Sequence, residues 1–264
     1  MSELALDHNL KIAIYAATGG RKTLQIGHLI ERFGASNVGI ISCESGLNTI
    51  RSLVDPAFVY EANNLDELAK AYAWAKEKFP KPDQWVCVDG GSRVLMWIRD
   101  KWWSGAENAL AQVINGVRPQ DLPAAAKQFA VYVTKGAELN SQQIWIRVAT
   151  EAERLFNAFV RLPSSSYWTF WEEKTNIDQF QKGLPWKPDT PGAGTFSAIK
   201  GAFDFIMRLV PDGERCTAQC SDQSSVYYAK HRDDWKAGIR VPDEIKDFRL
   251  DEFVMKLKGE GFGG

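Results

Sequence analysis

The chain predicts an α/β fold, a mostly parallel sheet flanked by helices with a C-terminal antiparallel extension. Three observations carry that prediction. Short continuous apolar runs recur along the chain, as strands covered on both faces require. Stretches with helical spacing separate them, so successive strands return in parallel through helical crossovers. The last third changes character: a Pro-Asp-Gly-Glu turn at 211–214 is followed by two short runs of strand type.

The elements follow in order. Residues 12–15 (Ile-Ala-Ile-Tyr) form a first strand, and an amphipathic run follows Lys22-Thr23. Residues 38–43 form a second apolar strand. Leu65, Leu68, Tyr72, Ala75 and Phe79 fall near helical spacing, and Pro80 and Pro82 end that helix. Residues 85–88 are a buried strand that closes on Asp89. A long helix over 143–162 places Ile146, Ala149, Ala152, Phe156, Phe159 and Val160 on one face. Strands follow at 167–171 and 203–210. Residues 215–220 and 225–230 predict an antiparallel pair joined by Ser-Asp-Gln-Ser, and 243–258 a terminal helix. Within a single domain spanning 1–264, residues 104–140 read as an insertion and 174–198 as a long loop.

Composition narrows the function. The chain has 264 residues, 45% hydrophobic and 25% charged, the balance of a globular protein, and its net charge of −1 gives no overall basic field. No uncharged apolar run is long enough to span a bilayer, and the start is polar and acidic, so a cytoplasmic location is expected. Cys43 and Cys87 lie in apolar strands and read as buried thiols. Cys216 and Cys220 supply half of a zinc ligand set with no second pair at ligand spacing.

The most informative stretch is 10–25. A strand runs into Ala16-Ala17-Thr18-Gly19-Gly20-Arg21-Lys22-Thr23, and a helix follows, which is the layout of a nucleotide phosphate-binding loop. Backbone N–H groups at a helix N-terminus attract phosphate. Lys22 can reach the terminal phosphates and the Thr23 hydroxyl can sit on Mg²⁺. The pattern G-x-x-x-x-G-K-[ST] departs at two places, where Ala16 and Arg21 stand for glycine. Arg21 either adds a charge-assisted contact to phosphate or obstructs the nest.

Acidic residues close the neighbouring strands. Asp89 follows Trp-Val-Cys-Val and reads as a Mg²⁺ residue or as a turn cap before Gly90-Gly91. Glu44 can polarise a water for attack on the γ-phosphate, or start a helix. Glu172 and Glu173 close Tyr-Trp-Thr-Phe-Trp; one senses the γ-phosphate, or both belong to a solvated turn. Lys230-His231-Arg232 ends a strand with alternate residues on one face, either two cations for one phosphate or a surface charge pair.

Five matches in one order carry a resemblance: 15–23, 41–47, 85–92, the helix end at 154–163 before Thr169-Phe170-Trp171-Glu172-Glu173, and Tyr228-Ala229-Lys230-His231-Arg232. With these the chain resembles the RecA-like P-loop ATPases of bacteriophages, the group linked to single-strand annealing and recombination. The resemblance implies a RecA-like P-loop NTPase core that uses ATP and Mg²⁺. Thr18, Gly19, Gly20, Arg21, Lys22 and Thr23 would form the nucleotide loop. Thr23 and Asp89 would hold the metal, and Glu44 would activate water. Lys230 and Arg232 would reach a neighbouring subunit's nucleotide in a ring or filament. The implied partners are further copies of the chain, single-stranded DNA and a single-strand-binding protein, in the host cytoplasm if the chain is phage-encoded. Lys174, Lys182, Trp186 and Lys187, in the loop after the 167–171 strand, offer cations for phosphates and an aromatic for base stacking. Trp102 and Trp103, beside Arg99 and Lys101, either stack likewise or belong to the core. A degenerate module that binds nucleotide, or only partners, with little or no turnover is the alternative that Arg21 motivates, and an oligomeric assembly protein that keeps the fold is a third.

Overall fold

A computed structural model describes residues 9–174, 186–231, 240–260 and 262. Strand β1 (Lys11–Ala16) is buried along its whole length, as its apolar run requires. Strands β2 (Val38–Ser42) and β4 (Trp85–Asp89) are buried likewise. A short β3 (Val59–Glu61) and the long β5 (Ser165–Lys174) join them, and β6 (Trp186–Pro188) pairs with the far end of β5. β7 (Phe205–Asp212), β8 (Arg215–Gln219) and β9 (Glu244–Ile245) complete the sheet among the described residues. The order is β3-β2-β4-β5-β1-β7-β8-β9. From β3 to β7 every pairing is parallel; β7–β8 and β8–β9 are antiparallel. β5 therefore separates the strand that enters the glycine loop from the strand that ends at Asp89.

Two cores flank the sheet. On one face lies α1 (Lys22–Phe33), whose Ile26, Leu29 and Ile30 meet Ile12 and Ile14; α7 (Leu250–Met255) adds Phe253 and Val254. The other face is covered by α2 (Leu65–Lys78), α3 (Gly91–Ile114) and α5 (Ser141–Val160). There Trp168 and Phe170 pack against Phe156, Phe159 and Phe203 with edge-to-face geometry. Helix α2 starts under an Asn64 side-chain cap on the Glu67 N–H and carries acidic residues in its first turn, both favourable at a helix N-terminus. The short α4 (Ala124–Lys127) and α6 (Ala193–Ala202) fill the remaining connections. Among the described residues no helix is long and apolar enough to cross a membrane.

The structure corrects several boundaries. Residues 104–114 continue α3 instead of opening an insertion, and 193–198 belong to α6 instead of a loop. Residues 225–230 do not pair with 215–220. β8 pairs with β7 and β9, and Tyr227 and Lys230 make single bridges to Trp186 and Ile206. The terminal helix is shorter: β9 occupies 244–245, α7 begins at Leu250, and a wider turn follows at Lys256–Glu260. The buried stripe of α5 is Ile144, Val148, Ala152, Phe156 and Phe159, and Ile146 is 59% exposed. The true stripe follows a spacing of four, four, four and three, which the cluster of apolar residues at 144–149 hides.

Candidate functional site

The loop between β1 and α1 keeps the geometry that its missing glycines would supply. Gly20 donates its N–H to the Ala17 carbonyl at 2.9 Å. A Cβ on Gly20 would stand 2.4 Å from the Ala16 Cβ, so glycine at 20 makes room for the methyl that Ala16 brings. Arg21, the residue before α1, has φ +62°, the left-handed conformation that glycine takes most easily. Its guanidinium donates to the Gly213 carbonyl at 2.7 Å, in the turn between β7 and β8. The arginine thus fills the glycine position with a glycine-like backbone, and its side chain is tied to the adjacent hairpin.

Three charged side chains converge beside this loop. Lys22 Nζ donates to the Ala16 and Ala17 carbonyls at 3.0 and 3.2 Å. Burial lowers its pKa from the usual lysine value, and Glu44, Asp89 and Glu172 oppose that shift. Asp89 is 3% exposed and accepts from Thr23 Oγ1 at 2.9 Å and Thr169 Oγ1 at 2.7 Å. Burial raises its pKa, and those two hydroxyls counter it. Glu44, just past β2, accepts from Trp171 Nε1 at 3.1 Å on Oε2. Its Oε1 is buried and has no hydrogen-bond partner among the described residues. Burial raises the Glu44 pKa, opposed first by the Trp171 bond.

Two further glycines keep this corner open. A Cβ on Gly90 would stand 2.9 Å from Glu44 Oε1, and the residue has φ +110°. A Cβ on Gly46 would stand 2.9 Å from Asp89 Oδ2 and 3.2 Å from Thr23 Oγ1. The loop residues 18–23, Glu44, Asp89 and Trp171 line one cleft of about 440 Å³. Every loop residue expected from the sequence lies in it, together with Glu44 and Asp89.

The residue set fits Mg²⁺ in a particular way. Among the described residues no three His, Cys, Asp or Glu side chains gather into a metal cluster. Thr23 and Asp89 offer one hydroxyl and one carboxylate, which suits an ion that keeps waters and takes its other ligands from phosphate.

Other expected residues lie elsewhere. Lys230 Nζ donates to the carbonyls of Lys200 and Phe203 in its own chain, at 2.5 and 2.7 Å, and the residue does not line the loop cleft. Its ammonium caps the end of α6. Arg232 and Lys182 lie outside the described residues. Trp186 sits under the Arg208 guanidinium at 4.4 Å and the Lys174 ammonium at 5.3 Å, and Lys187 pairs with Glu173 at 3.0 Å. The three described members of the DNA set are thus engaged within the chain. Glu172 is paired with Arg208, and Glu173 with Lys187. Trp102 is core, edge-on to Phe129 and Tyr132. All four cysteines are buried and free.

Sequence reasoning missed the support for the site, which comes from one face of β5. Tyr167 Oη donates to the Lys22 carbonyl at 2.9 Å; Thr169 holds Asp89 and accepts from the Gly90 N–H at 2.9 Å; Trp171 holds Glu44. These residues alternate along the strand, so all three side chains leave the same face. The signal was present as three polar-tipped residues spaced by two in an otherwise apolar run.

No family profile and no curated relative matches the chain. Among solved structures, it is similar to a prototypical ATPase from the type III secretion system of pathogenic bacteria, at 15% identity and a TM-score of 0.40 over 78% of this chain and 54% of the other. It is similar also to the assembled ATPase EscN from the enteropathogenic E. coli type III secretion system, at 17% identity and a TM-score of 0.41 over 76% of this chain and 43% of the other. The chain spans about half the length of the solved chains it matches.

Proposed function

We propose that this protein binds ATP with Mg²⁺ in the loop cleft and hydrolyses it. One observation carries the reading: Lys22-Thr23, Glu44 and Asp89, from three separate strand tips, border one cleft beside a glycine loop at a helix N-terminus. Backbone N–H groups at the start of α1 offer donors and a positive dipole end to phosphate oxygens. Lys22 adds a charge that burial strengthens against phosphate. Thr23 and Asp89 would hold Mg²⁺, which supplies charge neutralisation on the phosphate oxygens.

Glu44 supplies the base. Its carboxylate is the acceptor for a proton from water, and burial raises its proton affinity in the direction a general base needs. The water oxygen bonds to the γ-phosphorus, the bond to the bridging oxygen breaks, and the leaving pair stays on ADP. The proton passes to Glu44.

The finer reading is a RecA-like phage protein that acts in recombination, annealing or replication as a ring or filament. It rests on the sequence resemblance. One experiment tests both levels: ATP binding and hydrolysis by the wild type and Lys22→Ala, with and without single-stranded DNA, alongside mass in solution. The variant should lose at least tenfold in affinity, on the order of 1.4 kcal/mol. Normal binding and turnover by the variant would overturn the site. Hydrolysis that ignores DNA in a monomer would remove the finer reading and leave the ATPase.

A further inference from the structure

The geometry points to Trp171 as the positioning residue for Glu44: its indole N–H fixes one carboxylate oxygen and so holds the carboxylate in place at the cleft. The inference deepens the hydrolysis reading and rests on it for its catalytic part.

The indole is itself held. Trp171 donates its backbone N–H to Ser92 Oγ at 3.0 Å and accepts from the Asp189 N–H at 2.8 Å. Ser92 is 1% exposed and donates to the Asp189 carbonyl at 2.9 Å. The strand then continues into its pairing with β6. Both sides of the Trp171 backbone are therefore tied down beyond the end of β4.

Four other described indoles are used differently. The Nε1 atoms of Trp85, Trp102, Trp103 and Trp168 are buried without a hydrogen-bond partner, so those rings serve packing. Trp171 is only half-buried, lines the cleft, and directs its N–H to Glu44 Oε2. The carboxylate is thus set by two features: a donor on Oε2, and the space left by Gly90 beside Oε1. A carboxylate with one oxygen engaged presents the other in a fixed direction. Displacing a base from the line of attack by about 1 Å costs on the order of 100-fold in rate.

The test is a double-mutant cycle on Trp171→Phe and Glu44→Ala, read in kcat and KM for ATP and in melting of the unliganded protein. Phenylalanine keeps most of the ring and removes the N–H. Trp171→Phe should lower kcat about 10- to 100-fold with KM changed less than twofold. In the Glu44→Ala background the same change should alter the residual rate less than twofold, because the group it positions is gone. The melting shifts of the two variants should likewise combine to less than their sum. Additive losses in rate and in melting temperature would overturn the assignment, as would a raised KM with kcat intact. If the wild type hydrolyses no ATP, the catalytic reading fails on its own. Non-additive melting would then still place Trp171 on Glu44, and additive melting would remove that link.

Discussion

Strand β1 has a buried lysine at its start and a half-buried one just past the loop that follows its end, and the two differ in their surroundings. Lys11 Nζ donates to the Leu162 and Ser164 carbonyls at 3.3 and 2.7 Å. Lys22 Nζ donates to the Ala16 and Ala17 carbonyls at similar distances. Burial lowers the pKa of both. Lys11 is 5% exposed, and among the described residues Asp204 is the carboxylate that counters its burial. Lys22 faces Glu44, Asp89 and Glu172 and opens on the cleft. Desolvation and backbone partners are therefore common to a structural lysine and a candidate functional one. What separates them is the space in front of the ammonium and the acids across it.

Unseating the acids across from Lys22 should have the largest effect. Thr169→Val keeps the shape of the side chain and removes the hydroxyl that joins Asp89 Oδ1 to the Gly90 N–H. Each buried group left without a partner costs about 1–3 kcal/mol. Urea unfolding should show a loss in that range, and Mg²⁺-dependent ATP binding should weaken with it. A variant with unchanged stability and unchanged magnesium dependence would mean that Asp89 is held by other groups.

That dependence on Thr169 marks the limit of what the sequence discloses. The loop, Glu44 and Asp89 were legible because an apolar strand that stops at a glycine loop or an acid is a strong local contrast. The supports on β5 were not, since Tyr167, Thr169 and Trp171 are also ordinary strand formers. Helix α6 was obscured by Gly192, Gly194, Gly201 and Pro191, which locally favour turns, and it persists by packing on α5. The stretch 225–230 has strand-like residues, but β9 occupies the edge of β8 that it would need. Which segment takes an edge is decided by distant parts of the chain, and no local pattern records that competition.

A smaller effect is expected at Lys11. The folded-state pKa of Lys11 is lowered to about 8, against 10.5 ordinarily. Below about pH 8 the folded and unfolded states both hold the proton. Between about 8 and 10.5 the unfolded state alone holds it, so this residue makes stability rise with pH in that window. Tyr15 acts the other way at high pH, because burial raises its pKa. The informative quantity is thus the wild-type stability minus that of Lys11→Met, measured by urea unfolding from about pH 7.5 to 10. The difference should climb with pH, and ATP affinity should stay within twofold. A flat difference would mean that Lys11 keeps its proton in the fold.

The smallest effect concerns Arg21, where the motif departs from glycine. A left-handed backbone costs a non-glycine residue about 1–2 kcal/mol. Arg21→Gly removes that cost, but it also removes the exposed bond to Gly213, worth about 0.5–1.5 kcal/mol, and frees the unfolded chain. These changes nearly cancel, so the melting temperature should move by only a few degrees. ATP binding should be retained, because the loop conformation is the one glycine adopts readily. Arg21→Ala keeps the backbone cost and loses the bond, so it should melt below both. If Arg21→Gly instead lost ATP binding while melting normally, the guanidinium would be a phosphate ligand, and the departure from glycine would be a gain of contact and not a tolerated substitution.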